Sequence, residues 1–201
     1  MLKVGLTGGI GSGKTEVAKI LQIHGFPVIN SDQIGHEFLN IPEVSETIIR
    51  EFGKDILTGD DIDRSKLGKI VFSDPVKRVK LNEIIHPIVI EEIKRSVEEK
   101  IEKGEKVVII ESALIFEDID TFFPQWLDKL ILVLAPEELR IKRLLKDRKL
   151  SEEDILARIK SQKKPEDKIP YANWIIFNDD DFVKLNREVE RVIKELRSAI
   201  R

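Results

Sequence analysis

The chain has 201 residues, enough for one full hydrophobic core with a smaller appendage and too few for two equal large domains. Charged residues make up 35% of it while the net charge is only -3, so acids and bases are interspersed and nothing recommends a nucleic-acid partner. The absence of cysteine excludes disulfides and thiolate metal sites, no apolar run approaches the roughly 20 residues that span a bilayer, and Met1-Leu2-Lys3-Val4 lacks the form of a secretory leader; a cytoplasmic location with no membrane partner is expected.

In chain order, short β-branched runs at residues 2–7, 27–30, 107–110, 130–134 and 174–177 read as strands buried on both faces. Segments of helical period separate them, such as 16–24 closed by Gly25, and this alternation builds a parallel sheet through right-handed crossovers. The expected fold is α/β: a five-stranded parallel sheet flanked by helices. The interval between the second and third strands is far too long for a simple crossover and should hold a helical insert, residues 33–104. Within it Asp74-Pro75 opens a helix, Gly104 stops one, and Pro87 is expected to break the run between them and leave His86 at a bend. His24 reads as structural. At the C-terminus Phe182, Leu185, Val189, Val192, Ile193, Leu196 and Ile200 form one apolar helical stripe, read as core packing.

The strongest chemical signal is residues 8–15, Gly-Gly-Ile-Gly-Ser-Gly-Lys-Thr, a complete G-x-x-x-x-G-K-[ST] pattern between a predicted strand and a predicted helix. A loop whose backbone N–H groups all turn inward around a phosphate needs conformations that side chains forbid, and the helix N-terminus adds its own attraction for anions. Gly8, Gly9, Gly11, Ser12, Gly13, Lys14, Thr15 and Glu16 are therefore candidate ATP contacts. Lys14 supplies a point charge to the β- and γ-phosphates, and the Thr15 hydroxyl is a candidate Mg²⁺ ligand. The expected core is 1–32, 105–135 and 166–201, with a lid over 136–165.

Four further residues carry two readings each. Asp32, just past the second strand, is either a base for an attacking hydroxyl or a helix cap. Glu111, ending the third strand, either holds Mg²⁺ or only solvates a loop. Arg140 and Arg143, three apart on a helix opened after Pro136, either neutralise transferring phosphate or form a solvated basic face. Ser151-Glu152-Glu153-Asp154 is a capping box that starts a second lid helix.

Taken together the residues resemble the dephospho-coenzyme A kinase family over nearly the whole chain. The resemblance rests on residues 5–15, Asp32 with His36, Asp63-Arg64, residues 81–87 ending in His86-Pro87, Leu114-Ile115-Phe116-Glu117, Arg143, Arg158-Ile159 with Gln162, and residues 172–178. It implies a P-loop fold like that of nucleoside monophosphate kinases and transfer of the ATP γ-phosphate to the ribose 3′-hydroxyl of dephospho-coenzyme A. It also implies Asp32 as catalytic base with Lys14 and Arg143 stabilising charge, and Asn178 near the ATP adenine with Arg140 also serving ATP. Acceptor contacts would come from the insert carrying His86 and from Leu114, Ile115, Phe116 and Glu117. The chain departs from the family pattern at Asn30, where the first Asp of a D-A-D element is usual, and at Ala113, Asn173 and Asp179; in the lid Asp147, beside Arg148, stands where a second arginine is expected. A monophosphate kinase would need cationic clamps rather than a base at Asp32. A GTP switch would need N-K-x-D, which is absent.

Overall fold

The structure is a computed structural model that describes residues 1–113, 115, 125–146 and 151–199. In chain order its elements are β1 (Leu2–Gly8), α1 (Lys14–Ile23), β2 (Val28–Asn30), α2 (Ser31–Phe38), α3 (Pro42–Phe52), β3 (Leu57–Thr58), β4 (Asp61–Ile62), α4 (Arg64–Ser73), α5 (Pro75–Glu102), β5 (Val107–Glu111), β6 (Lys129–Leu134), α6 (Glu137–Lys146), α7 (Glu152–Lys160), β7 (Trp174–Phe177) and α8 (Phe182–Ala199). A 3-10 turn, Pro165–Tyr171, precedes β7. The chain divides into two compact units, one made of Met1–Asn30 with Arg95–Arg201, the other of Ser31–Lys94.

In the first unit all five expected strands form one parallel sheet in the order β2-β5-β1-β6-β7. Their unbroken apolar runs are buried on both faces, as a parallel sheet requires: Val4, Leu6, Ile109, Ile131 and Val133 pack with α1 and α8, and Val108, Ile110 and Leu132 are equally inaccessible. The C-terminal stripe packs as expected through Leu185, Val189, Val192, Ile193 and Leu196, each worth about 1.5–3 kcal/mol of burial. Phe182, however, stays 57% exposed at the first position of α8, and Ile200 lies outside the described residues. Register brings the carboxyl ends of neighbouring strands together, Asn30 beside Glu111 and Gly8 beside Val133.

The second unit has its own small core of Leu39, Val44, Ile48, Ile56, Leu67 and Val71. Asp74 caps α5, its carboxylate accepting from the Val76 and Lys77 amides at 2.9 and 3.2 Å. Two features differ from the sequence expectation. An antiparallel hairpin, β3 with β4, turns at Gly59, which has φ 65°. Its two-residue strands are too short for alternation to register as a pattern. Pro87 does not break the helical run, and His86 lies inside α5, which is continuous over 28 residues. The proline ring removes only one amide donor, and the helix is pinned on either side of it: Leu81, Ile84, Ile85 and Ile88 pack on the small core, and Val89, Ile93 and Val97 are buried further along. Gly104 ends the segment as expected, with φ 81° and its N–H donating to the Ile101 carbonyl at 2.8 Å.

His36, in α2, lies 2.9 Å from an Arg64 guanidinium nitrogen. Burial first, then the Arg64 charge, lowers its pKa below the ordinary 6.5, against an opposing pull from Asp32. Folding therefore favours the neutral imidazole.

Two predictions follow for stability. Pro87→Ala, which restores the N–H facing the Glu83 carbonyl, should raise stability to urea by about 1–3 kcal/mol; a loss would mean the proline is shaped into the fold. The stability derived from a neutral His36 is complete above pH 6.5 and is lost as pH falls through its lower folded-state value. Urea midpoints between pH 7.5 and 5 should therefore fall less steeply in His36→Gln than in the parent.

Candidate functional site

The phosphate loop runs from the end of β1 to the start of α1, and its glycines are dictated by what surrounds them. Gly13 has φ 95°, and a Cβ there would collide with the Asn178 side-chain nitrogen; a Cβ on Gly8 would collide with the Val133 carbonyl of β6. No side chain caps α1, so its first N–H groups are left for an anion. Lys14 is 9% exposed, with Nζ donating to the Gly8 carbonyl at 2.8 Å and lying 3.4 Å from that of Gly9. The sequence thus folds a cation back over the loop it belongs to. Glu16, by contrast, pairs with Lys19 at 3.3 Å along α1.

Glu111, 4% exposed, meets two donors at the carboxyl end of the sheet. Thr15 Oγ1 donates to its Oε1 at 2.9 Å and Asn30 Nδ2 to its Oε2 at 2.8 Å. Burying a carboxyl group without partners costs several kcal/mol, so these donors offset its burial and fix its orientation. A hydroxyl and a single carboxylate, both hard oxygen donors, suit Mg²⁺, which takes few protein ligands and completes its shell with water and phosphate. Among the described residues no group of three or more acidic or histidine side chains forms a cage for a metal made by the protein alone. Asn30 was visible in the sequence only as a departure from a pattern; its function here follows from β2–β5 register, which a linear reading cannot supply.

The arginines on α6 are not a solvated basic face. Arg140 is 5% exposed, reaches the Glu137 carboxylate at 3.3 Å and packs against Gly9; its Nε is buried without a hydrogen-bond partner among the described residues. Arg143 donates from Nη2 to Asn178 Oδ1 at 3.0 Å, while its Nη1 is buried without such a partner. Burial pushes its pKa below the usual arginine range, though a guanidinium remains charged at any working pH. Asn178, one residue past β7, donates from Nδ2 to the Ser12 carbonyl at 2.8 Å. Gln162, just past α7, accepts from the Ile10 amide at 2.8 Å. The sequence assigned Gln162 no role of its own. Ser151 caps α7 as expected, accepting from the Asp154 amide at 3.1 Å.

Ile115 is fully buried, its Cδ1 packed over Gly5 of β1. In the second unit Asp32 is exposed in the first turn of α2, and His86 is half-buried in α5. Leu114, Phe116 and Glu117 lie outside the described residues, as do Asp147 and Arg148.

The first unit therefore gathers a phosphate loop, a buried lysine, one buried and one half-buried arginine and a carboxylate–hydroxyl pair, the equipment for handling a nucleoside triphosphate. Among the described residues no helix is long and apolar enough to cross a membrane. The dephospho-CoA kinase family matches residues 2–184. A dephospho-CoA kinase of Wolinella succinogenes is 36% identical over 194 residues, 96% of this chain and 94% of that one. Among solved structures, the fold is similar to a dephospho-CoA kinase of Campylobacter jejuni, with TM-score 0.69 and 28% identity over 98% of both chains. A Thermus thermophilus protein gives TM-score 0.79 and 30% identity over 100% of this chain and 98% of that one. The chain belongs to the dephospho-CoA kinase family, and is an ATP-dependent phosphotransferase acting on dephospho-coenzyme A in the last step of coenzyme A biosynthesis.

Proposed function

We propose that this chain passes the γ-phosphate of ATP in line to the ribose 3′-hydroxyl of dephospho-coenzyme A, and that its residues divide the work as follows. The loop from Gly8 to Thr15 holds the triphosphate, with Lys14 on the β- and γ-phosphates. Arg140 and Arg143, each with a buried nitrogen left unspent among the described residues, stabilise charge on the transferring phosphoryl oxygens. Thr15 and Glu111 would hold Mg²⁺, which when bound neutralises the phosphate oxygens between donor and acceptor. Asp32 accepts the proton as the 3′-oxygen forms its bond to phosphorus and the bond to the β-phosphate oxygen breaks, leaving ADP. The 33–104 insert, with His86, carries acceptor contacts and the 136–165 segment is the lid. The cytoplasm, where both small-molecule substrates are made, is the proposed location, with neither nucleic acid nor membrane as partner.

The observation that carries this reading is the convergence of Lys14, Arg140, Arg143 and Glu111 on one loop in a chain of this family, with Asp32 two residues beyond Asn30 in sequence. In an open parallel sheet ligands bind beyond the carboxyl ends of the strands, and β2 leads directly into the helix bearing Asp32.

Asp32→Asn should lower kcat about a hundredfold or more with little change in the KM for ATP; near-normal turnover would remove the base assignment. An acceptor screen with ATP should favour dephospho-coenzyme A over AMP, CMP, UMP and adenosine, and preference for a monophosphate would overturn the reading. Glu111→Gln should weaken Mn²⁺ binding in the presence of a non-hydrolysable ATP analogue by about tenfold or more, read by electron paramagnetic resonance independently of turnover. Unchanged Mn²⁺ affinity would remove Glu111 from the metal site.

A further inference from the structure

We propose that Asn178 is a positioning residue for phosphoryl transfer, its neutral side-chain amide fastening the Arg143 guanidinium to the phosphate loop without cancelling the arginine's charge. This rests on the role given to Arg143 above and departs from the adenine contact that family resemblance implies for Asn178.

The geometry is closed on three sides. The Asn178 backbone N–H donates to the Leu134 carbonyl at 2.8 Å, which fixes residue 178 to the end of β6, and the residue is only 6% exposed. Its Nδ2 donates to the Ser12 carbonyl at 2.8 Å and its Oδ1 accepts from Arg143 Nη2 at 3.0 Å. These partners also fix which end of the amide is which, because a carbonyl can only accept and a guanidinium can only donate. With one end on the loop and the other on the arginine, neither amide group faces a base. Gly13 completes the arrangement: any Cβ there would occupy the space of Asn178 Nδ2, so the entry to α1 is shaped around this side chain.

The chemistry explains why an amide stands here. Aspartate has the same shape, but a carboxylate would meet the Ser12 carbonyl as acceptor against acceptor, and it would pair with Arg143 and spend its charge on the protein. Asparagine satisfies both partners and leaves the guanidinium a full positive charge. Arg143 Nη1, buried and without a hydrogen-bond partner among the described residues, is the donor that remains for a phosphoryl oxygen. The same amide carries information in both directions: a shift of the loop at Ser12 moves Arg143, and a shift of Arg143 moves the loop.

The test is a double-mutant cycle on the full chain with ATP and dephospho-coenzyme A, using Arg143→Ala, Asn178→Ala and their combination, with Asn178→Asp as the variant that preserves shape. Circular dichroism and thermal midpoints establish that each is folded; should Asn178→Ala be unfolded, Asn178→Asp takes its place in the cycle. Arg143→Ala should lower kcat about a hundredfold, and Asn178→Asp should lower it about tenfold or more despite its shape. In the Arg143→Ala background the substitution at 178 should change kcat by less than about threefold while still raising the KM for ATP, since the Ser12 contact persists there. Losses in kcat that multiply in the double variant, or an Asn178→Asp enzyme with the parent's kcat, would overturn the positioning role while leaving Arg143 in place. An Arg143→Ala enzyme with the parent's kcat would instead remove the reading on which the inference rests.

Discussion

Everything in the first unit is arranged around a stretch of backbone that must come within hydrogen-bonding distance of an anion while being walled in on the other side. Gly8 has the Val133 carbonyl against it, Gly13 has Asn178, and Gly9 has Arg140 Nη1 2.5 Å from where a Cβ would sit. A loop with side chains at these places would either lose its inward-facing amides or push away β6, Asn178 and α6. The parallel sheet supplies the walls. Register sets Gly8 beside Val133 and Leu134 beside Phe177, so the ends of β6 and β7 reach the loop without further adjustment.

A second constraint is electrostatic. Lys14, Arg140 and Glu111 are all nearly inaccessible, and Arg143 is partly so, in a chain whose other charges are mostly on the surface. Charged groups in a medium of low polarity interact strongly, and leaving one unmatched is expensive. The fold tolerates them by giving each a hydrogen bond to a fixed group: Gly8 carbonyl to Lys14, Thr15 and Asn30 to Glu111, Asn178 to Arg143. Arg140 adds a carboxylate, Glu137, but that residue is exposed and the pair is largely screened. Cationic character is thus retained at the loop, where a triphosphate brings the negative charge that completes the balance.

What was legible in the sequence is what depends on neighbours along the chain. The glycine-lysine-threonine loop, the five apolar strands, the caps at Asp74 and Ser151 and the C-terminal stripe all stand where local pattern places them. What was not legible depends on neighbours across space. Pro87 obeys its local rule poorly because packing by Ile84, Ile85 and Ile88 outweighs one lost hydrogen bond. The β3–β4 hairpin is too short to carry a period. Ile115 fills space over Gly5 because a glycine in the middle of β1 leaves room there, a contact between residues 110 positions apart. Asn30, Asn178 and Gln162 are polar residues at the ends of elements, where polar residues are ordinary, and only strand register and helix placement show what each one bonds to.

Asn30 and Asn178 solve one problem twice. Each follows or ends a strand at the carboxyl edge of the sheet, each presents an amide to an ionisable side chain of the site, and neither adds charge. At Glu111 the amide donates; at Arg143 it accepts. An ionisable residue in either place would change the net charge of a site whose partner, a nucleoside triphosphate with its cation, is itself defined by charge. An aspartate at position 30 would lie beside Glu111 and trade an attractive contact for a repulsive one unless a cation lay between them. The departure from the family pattern at Asn30 therefore removes one negative charge from the carboxyl edge of the sheet and gives Glu111 a neutral donor in its place.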